Sequence, residues 1–389
     1  MNKIPVSQLA VGQRYSEPVF LEGNNLLVPA QTAMRQKELD LLKSLGAAAV
    51  FTEGALMQEG GANTEGFAFR PEESGAAKPT PSKRSMSGVF QKLNGLAQHL
   101  DKIFKELAAV PAQNNRELIA VSVRQLWTIT STLLHVSKEN KTDCLNYALE
   151  GDIKDFHLAK NSVAVSILSI LVARGLGLEL ERVPEVAVGA LLHDIGMLRL
   201  PPEIVNKQGA LNADEIELIR THTLHSYNII SRELAYPARV AVIALQHHER
   251  WDGTGYPYRL VGKAVDIGAR IVSIADAFES MTSEKPYRNS MLGYQAMKTL
   301  VSENATHFAP NVLKVFMHIM GMYPIGSGVT LNDGRIARVV DVRPDLHLRP
   351  VVRIIANSGA QRIADGELVD LAERKQLFIT QAIDISSLV

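Results

Sequence analysis

Six of the eleven histidines in this 389-residue chain fall between residues 157 and 248, beside several aspartates. Imidazole nitrogens and carboxylate oxygens are ligands for zinc, iron and manganese, and an aspartate next to a histidine can bridge two ions. A single histidine on a helix is more often an ordinary hydrogen-bonded residue than a ligand. The crowding of six favours a metal cluster, and these six are His157, His193, His222, His225, His247 and His248.

Three short apolar segments each end directly before histidine or aspartate residues. His193 and Asp194 follow EVAVGALL, His247 and His248 follow RVAVIALQ, and Asp276 follows ARIVSIA. Each segment is typical of a buried helix, so each is expected to deliver polar groups from its end into one cavity. One aspartate at a helix end is more often a cap or an ion-pair partner. Their occurrence together predicts a metal site.

Composition narrows the class of protein. The 41 Lys and Arg residues balance 41 Asp and Glu residues, which argues against a nucleic-acid polymer as partner. Cys144 is the only cysteine, so neither an intrachain disulfide nor a Cys-based zinc site is possible. The longest apolar stretch, residues 163–173, is shorter than the roughly 20 residues that span a bilayer. Since no secretory signal pattern is present either, we expect a cytoplasmic protein without a membrane span.

Periodicity and turn residues predict a mainly α protein. From residue 89 onward, apolar residues recur at helical spacing, whereas VTLNDGRIARVVDV and LRPVVRII near the C-terminus are β-rich. The apolar faces of the helices before residue 150 suit packing on the bundle or on a second subunit of a homodimer. The predicted divisions are a small N-terminal α+β regulatory domain at 1–58, a flexible linker at 59–88, a helical connector at 89–150, a catalytic helical bundle at 151–322 and a C-terminal β-rich appendage at 323–389.

The segments HDIG, HHERWDGTGYP and IADAFESMTSEKPYR occur in that order. In them the chain resembles the HD-GYP family of HD-domain metal-dependent phosphohydrolases, from about residue 150 to 322. His193 and Asp194 match the HD pair, and residues 255–257 match the GYP triplet. The resemblance implies an HD-type helical bundle that holds two, sometimes three, metal ions and hydrolyses cyclic di-GMP. The implied metal ligands are His193, Asp194, His222, His247, His248 and Asp276.

The implied chemistry agrees with these ligand types. Phosphodiester hydrolysis needs an activated hydroxide, neutralisation of phosphate charge and a stabilised leaving oxygen, which two divalent ions supply. The resemblance makes His193 and Asp194 catalytic, with Asp194 bridging two ions, iron or manganese, and a hydroxide between the ions as nucleophile. Carboxylates behind the ligands are expected to fix the histidine tautomers.

Other motif positions suggest contacts with substrate and partners. Lys285 and Arg288 match family positions that bind phosphate, although a solvated basic surface is the simpler alternative. Tyr256 has two open roles, stacking on the substrate or a structural part of its Gly-Pro turn. The GYP loop also resembles a surface that contacts diguanylate cyclases.

Two positions depart from the family pattern. Met197 stands where HDIGK has a lysine that contacts phosphate, and Asn161 stands where a metal-binding histidine is usual. His157 lies four residues before Asn161, on the same helix face, and is a candidate replacement. Met197 is therefore a changed substrate-binding position, while His157 and Asn161 are candidate further ligands. We expect two metal ions rather than three.

Three functions remain open at this stage. The first is a metal-dependent phosphodiesterase that converts cyclic di-GMP to pGpG or GMP, and it is the one we expect. The second is a catalytically weak cyclic di-GMP sensor or cyclase-binding scaffold, which Met197 and Asn161 favour. The third is a phosphohydrolase acting on a different cyclic dinucleotide.

Overall fold

The structure of the chain is a computed structural model. It describes residues 2–16, 19–21, 25–28, 34, 36, 39, 42–43, 47, 49–57, 88–109, 116–149, 157–207, 209–283, 291–302, 305–343 and 345–385. Lys285, Arg288 and residues 59–87 of the predicted linker lie outside this described part. The chain divides into two compact units, one made of residues 1–85 and 327–389 and the other of residues 86–326.

The second unit is helical. Its helices are α1 (Gly88–Ala109), α2 (Arg116–Glu139), α3 (Lys141–Leu149), α4 (His157–Gly175), α5 (Arg182–Leu191), α6 (Pro202–Val205), α7 (Ala213–Arg220), α8 (His222–Asn228), α9 (Ala238–Gln246), α10 (Ile267–Thr282), α11 (Gly293–Ser302) and α12 (Pro310–Met320). A 3-10 helix, Ile195–Arg199, follows α5, and a π-helical turn, Ile229–Glu233, follows α8. These elements confirm the predicted mainly α fold.

Helix α4 is the centre of the bundle. Every residue from 159 to 173 is buried, and the helix packs against α1, α5, α10 and α12. A helix that is apolar around its whole circumference is typical of such a central position. Among the described residues, one helical window, Leu158–Gly175, is long and apolar enough to span a bilayer, and 83% of it is buried inside the protein.

The three apolar segments before the polar positions lie almost entirely within α5, α9 and the first part of α10. Asp266 caps α10 by accepting a hydrogen bond from the Gly268 amide at 2.7 Å. Asp276 lies within α10, and the prediction that this aspartate ends its helix was wrong. The helix continues to Thr282 because Phe278 and Met281 extend its buried face.

The two connector helices also pack inside this unit. Helix α1 contacts α4, and α2 contacts α5 and α4. Leu100 and Leu133, on the inner faces of α1 and α2, are fully buried. Their apolar faces are therefore used within one chain, which was one of the two alternatives. A homodimer stays a prediction.

The first unit contains antiparallel sheets. Near the N-terminus, β1 (Asn2–Pro5), β5 (Ala49–Thr52), β3 (Val19–Leu21) and β4 (Asn25–Val28) form one sheet in that order, while β2 (Arg14–Tyr15) pairs with β6 (Leu56–Met57). Near the C-terminus, β7 (Gly328–Leu331), β8 (Ile336–Asp341), β9 (Val351–Ala356), β10 (Leu368–Asp370) and β11 (Ile379–Ile383) form a sheet ordered β10-β9-β8-β7-β11.

The β7–β8 hairpin turns at the predicted Asn332-Asp333-Gly334 site. Gly334 has φ +84°, a conformation that favours glycine. The predicted β-rich segments contain β8 and most of β7 and β9, whereas β10 and β11 were not predicted. Both are short and lack a strong alternation of apolar and polar residues, so their strand structure depends on pairing with β9 and β7.

Candidate metal centre

Six side chains meet where several helices end. His193 and Asp194 follow α5, His222 begins α8, His247 and His248 follow α9, and Asp276 projects from α10. Their ligand atoms form two groups that share His247. Within each group, all ligand atoms lie within 4.8 Å of one another. The first group is Asp194, His222, His247 and His248, and the second is His193, His247 and Asp276.

Three of the histidines are held in the same way. The Nδ1 atoms of His193, His222 and His247 each lie 2.7 Å from the backbone carbonyl oxygen three residues earlier. A carbonyl oxygen only accepts, so each Nδ1 carries the proton and each Nε2 is left to act as a ligand. We expected carboxylates to fix these tautomers, but backbone carbonyls do so, because each histidine lies one turn beyond a carbonyl near a helix end.

The free Nε2 atoms converge on Asp194. Its Oδ1 lies 3.1 Å from His222 Nε2 and 3.5 Å from His247 Nε2, and its Oδ2 lies 3.4 Å from His193 Nε2. His193 Nε2 is also 3.6 Å from Asp276 Oδ1. The two oxygens of Asp194 thus face different imidazoles, as a bridging carboxylate requires.

Several of these atoms lack ordinary partners. His222 Nε2 and His247 Nε2 face each other at 3.5 Å, although both are acceptors in this tautomer. Within the described part of the chain, His193 Nε2 and Asp194 Oδ1 are buried and make no hydrogen bond of acceptable geometry. Buried acceptors without donors are costly. A divalent cation would satisfy all of them, so these residues fit a metal centre.

Electrostatics favour the same conclusion. Burial raises the pKa of Asp194, but His193, His222 and His247 hold it well below its usual range. Burial lowers the pKa of His193, whereas Asp194 and Asp276 raise it, to about 9. Burial and the neighbouring imidazoles lower the pKa of His248 well below its usual value. The ionised carboxylates and the neutral His248 suit a cation, while His193, whose proton the two aspartates stabilise, would release that proton on binding metal.

Tyr256 contacts the cluster. Its ring stacks on His248, with centroids 4.7 Å apart and an interplanar angle of 26°. The guanidinium of Arg220 lies 5.2 Å from the centre of the same tyrosine ring, within cation–π range. Of the two roles left open by the sequence, this packing supports a structural one, in which Tyr256 positions His248.

Two residues that sequence analysis missed support the cluster. Ser226 Oγ accepts a hydrogen bond from the Gly196 amide at 2.9 Å and donates one to the His193 carbonyl at 2.7 Å, which ties the HD segment to α8. Glu249 is buried and accepts hydrogen bonds from the Tyr258 and Leu260 amides at 2.6 and 3.0 Å. Glu249 lies within the HHER motif, which was its sequence signal, whereas Ser226 is 30 residues from Gly196 in the chain and carried none.

The departures from the family pattern have different surroundings. Asn161 is buried on α4, and its Nδ2 donates to Glu279 Oε2 at 2.5 Å. Within the described residues, its Oδ1 has no hydrogen-bond partner. Met197 is half-buried on the 3-10 helix after Asp194. His157 begins α4, but its side chain lies outside the described part, as do Lys285 and Arg288.

An open cleft of about 580 Å³ lies beside Tyr256. It is lined by residues of α7 and α8 and by the loop that contains the GYP triplet, and it includes Arg220 and Arg259. The volume is typical of small-molecule sites. Guanidinium groups can bind phosphate or the O6 and N7 edge of guanine. We name this cavity the GYP cleft.

Comparisons with known proteins agree with this geometry. Residues 151–312 match the HD domain, and residues 328–388 match a KOW domain associated with the HD domain. A cyclic di-GMP phosphodiesterase of Pseudomonas aeruginosa, PA4108, is 33% identical over 222 residues, which cover 57% of this chain and 53% of that protein. A cyclic di-GMP phosphodiesterase of Thermotoga maritima is 34% identical over 169 residues, 43% of this chain and 46% of that protein.

A relative named for a different dinucleotide also matches. The 3'3'-cGAMP-specific phosphodiesterase 1 of Vibrio cholerae is 37% identical over 152 residues, which cover 39% of this chain and 35% of that protein. The chain spans about half the length of the first two relatives and less of the third.

Proposed function

We propose that this chain, which belongs to the HD-domain family, is a metal-dependent phosphodiesterase that hydrolyses cyclic di-GMP to pGpG or GMP. One observation carries the proposal: three imidazole Nε2 atoms, fixed in their tautomer by backbone carbonyls, converge on the two oxygens of Asp194. Two relatives named as cyclic di-GMP phosphodiesterases support the choice of substrate. The cytoplasmic location remains part of the proposal, supported by the single, buried Cys144.

In this proposal the six side chains hold two divalent ions, iron or manganese. When bound, such ions supply charge neutralisation and an activated water for attack on phosphorus. His222, His247 and His248 would hold one ion with Asp194, and His193 and Asp276 would hold the other, with Asp194 shared. Asn161 Oδ1 and His157 are the further candidate ligands on α4.

The protein's own residues would also orient the substrate. Arg259, together with Arg220, whose Nη1 already pairs with Glu217, provides guanidinium groups in the GYP cleft for a guanine edge or a phosphate. Tyr256 would keep His248 in place, and because it also lines the GYP cleft it stays a proposed substrate-binding residue. Lys285 and Arg288 stay proposed phosphate-binding residues, and Met197 occupies the position where a lysine would add a further positive charge.

The proposal extends to partners and regulation. Tyr258 and Val261 are 58% and 64% exposed near the GYP triplet, which supports this loop as a surface for a diguanylate cyclase. Trp127 is 52% exposed on α2 and would be available for a homodimer. We retain the five predicted divisions, with residues 1–58 as a regulatory domain for the 151–322 bundle.

The decisive experiment is a product assay. Full-length protein is purified without oxygen, supplied with iron or manganese, and incubated with cyclic di-GMP beside two variants. His193→Ala removes a proposed ligand, whereas His225→Ala removes a histidine of α8 outside both ligand groups. We expect pGpG or GMP from the wild type and His225→Ala, and none from His193→Ala.

Other outcomes separate the remaining alternatives. Binding of cyclic di-GMP without product in all three proteins would indicate the sensor or scaffold. Faster cleavage of 3'3'-cGAMP than of cyclic di-GMP would indicate the other substrate class, for which the Vibrio cholerae relative is named. Equal metal content in wild type and His193→Ala would contradict the ligand assignment itself.

A further inference from the structure

A second, larger cleft lies elsewhere on the helical unit. It has a volume of about 1200 Å³ and is lined by the end of α1, the beginning of α2, the last residue of the 3-10 helix and the π-helical turn with its flanking residues. None of the six clustered metal-ligand candidates lines it. Four of its lining residues are arginines and one is acidic: Arg116, Arg124, Arg199, Arg232 and Glu233. We call it the arginine cleft.

The charges in this cleft are not balanced. Glu233 Oε2 pairs with Arg199 Nη2 at 2.8 Å. Within the residues that the structure describes, the guanidinium groups of Arg116, Arg124 and Arg232 make neither an ion pair nor a hydrogen bond. Positive charges gathered in one concave surface concentrate the potential there and attract anions. Guanidinium forks bind phosphate oxygens in pairs, which favours a phosphorylated ligand over a simple halide.

Apart from Asn228, the remaining lining is apolar. Ile119, Val123 and Leu234 contribute aliphatic side chains between the arginines. The cleft volume of about 1200 Å³ is larger than a phosphate group alone would fill, and it lies above the usual range of volumes for small-molecule sites. This combination suits a ligand with a phosphate part and a less polar part.

The backbone at one edge of the cleft is unusual. Residues 229–233 form a π-helical turn, a feature frequent at functional sites. Ala235, two residues later, has φ +53°, in the left-handed region that residues other than glycine rarely adopt. This backbone places Arg232 and Glu233 at the cleft.

We propose that the arginine cleft binds a small ligand that carries two linked phosphates, at a site separate from the metal centre. Inorganic pyrophosphate and a nucleoside diphosphate share this chemistry. The proposal does not depend on cyclic di-GMP hydrolysis, because it concerns binding to residues outside the metal centre and the GYP cleft.

Isothermal titration calorimetry on the full chain tests this site, with inorganic pyrophosphate and ADP as probes. The test variant is Arg116→Ala with Arg124→Ala, two exposed residues whose loss should leave the fold intact. The control, Lys102→Ala with Arg239→Ala, removes the same charge from exposed residues outside the cleft. We expect the dissociation constant for pyrophosphate to be about tenfold higher in the test variant than in the wild type and the control.

Further variants and probes complete the test. Arg232→Ala should weaken binding in the same direction, and His193→Ala should leave it unchanged. Tighter binding of ADP would show that the apolar wall contributes, while equal binding would show that the linked phosphates suffice. No binding of either probe by the wild type, undiminished binding by the Arg116 and Arg124 double variant, or loss of binding in His193→Ala would overturn the proposal.

Discussion

At the scale of single residues, His193, His222 and His247 bond back to carbonyls near the ends of α5, α7 and α9. Carbonyls in the last turn of a helix lack intrahelical partners, so a histidine that follows closely can donate to one of them. The same helix ends carry partial negative charge, which stabilises a nearby cation. The histidine tautomer and the attraction for metal therefore have a common origin in local helix geometry.

Ser226 allows a direct test of how the HD segment is held. Ser226→Ala would leave the buried Gly196 amide without its acceptor and the His193 carbonyl without its donor. We expect the free energy of unfolding to fall by about 1–3 kcal/mol, together with weaker metal retention. Urea denaturation and metal analysis measure both effects.

Ser231→Ala is the matched control for this prediction. Ser231 also donates to a backbone carbonyl, at 2.6 Å from Tyr227 O, but it is not bonded to the HD segment. A loss of metal in Ser231→Ala as large as in Ser226→Ala would contradict the specific role of Ser226.

Asn161 permits a test of the ligand position on α4. Its amide nitrogen is bonded to Glu279, and its unpartnered oxygen is the atom available to a metal. Asn161→His supplies an imidazole, a better ligand for a transition metal, and Glu279 can accept its second N–H. We expect this variant to retain more metal than the wild type during dialysis against a chelator.

Asn161→Leu provides the comparison at the same position, because it is similar in size and has no ligand atom. We expect it to retain less metal than the wild type. Identical retention in all three proteins would place Asn161 outside the coordination sphere and direct attention to His157.

At the scale of elements, the site depends on how closely the 3-10 helix approaches α8. A Cβ atom on Gly196 would lie 2.0 Å from the His222 carbonyl oxygen and 2.5 Å from the Ser226 amide nitrogen. Both are backbone atoms and cannot move aside by a rotamer change. The absence of a side chain at Gly196 is thus what lets the two ligand-bearing segments meet.

Gly196→Ala tests this close approach. We expect a loss of about 3 kcal/mol in the free energy of unfolding, because the added methyl group forces the 3-10 helix away from α8. Gly95→Ala is the control, since Gly95 lies inside α1 with no atom within 4 Å of an added Cβ. It should raise stability by about 0.5–1 kcal/mol in the same urea titration. Equal urea midpoints of unfolding for Gly196→Ala and the wild type would show that the 3-10 helix and α8 are not in tight contact.

At the scale of the whole molecule, all six clustered side chains belong to residues 86–326. The same unit contains the anchoring carbonyls, Ser226 and the core around α4. A unit with its own core can in principle fold alone. We therefore expect the cluster of six side chains to form without the strands of the other unit.

A chain shortened to residues 86–326 tests this independence. We expect it to be folded and helical by circular dichroism, and to bind the same number of metal ions per chain as the full protein. Elemental analysis of both proteins, loaded with metal and dialysed in parallel, measures the number of metal ions per chain. A shortened chain that folds but holds no metal would refute the independence of the centre.

The sequence by itself determined the mainly α fold, the apolar segments that precede the clustered histidines and aspartates, and the residue types proposed as ligands. These features are local, because helical periodicity and the motifs depend on residues that are close together in the sequence. Only the tertiary structure decided which oxygen of Asp194 faces which imidazole, and that carbonyls rather than carboxylates fix the tautomers. It also revealed Ser226, Glu249 and the arginine cleft. Apart from the carbonyl contacts, which join residues three apart in the chain, those relationships join residues on different helices, and their distances arise only when the helices pack around α4.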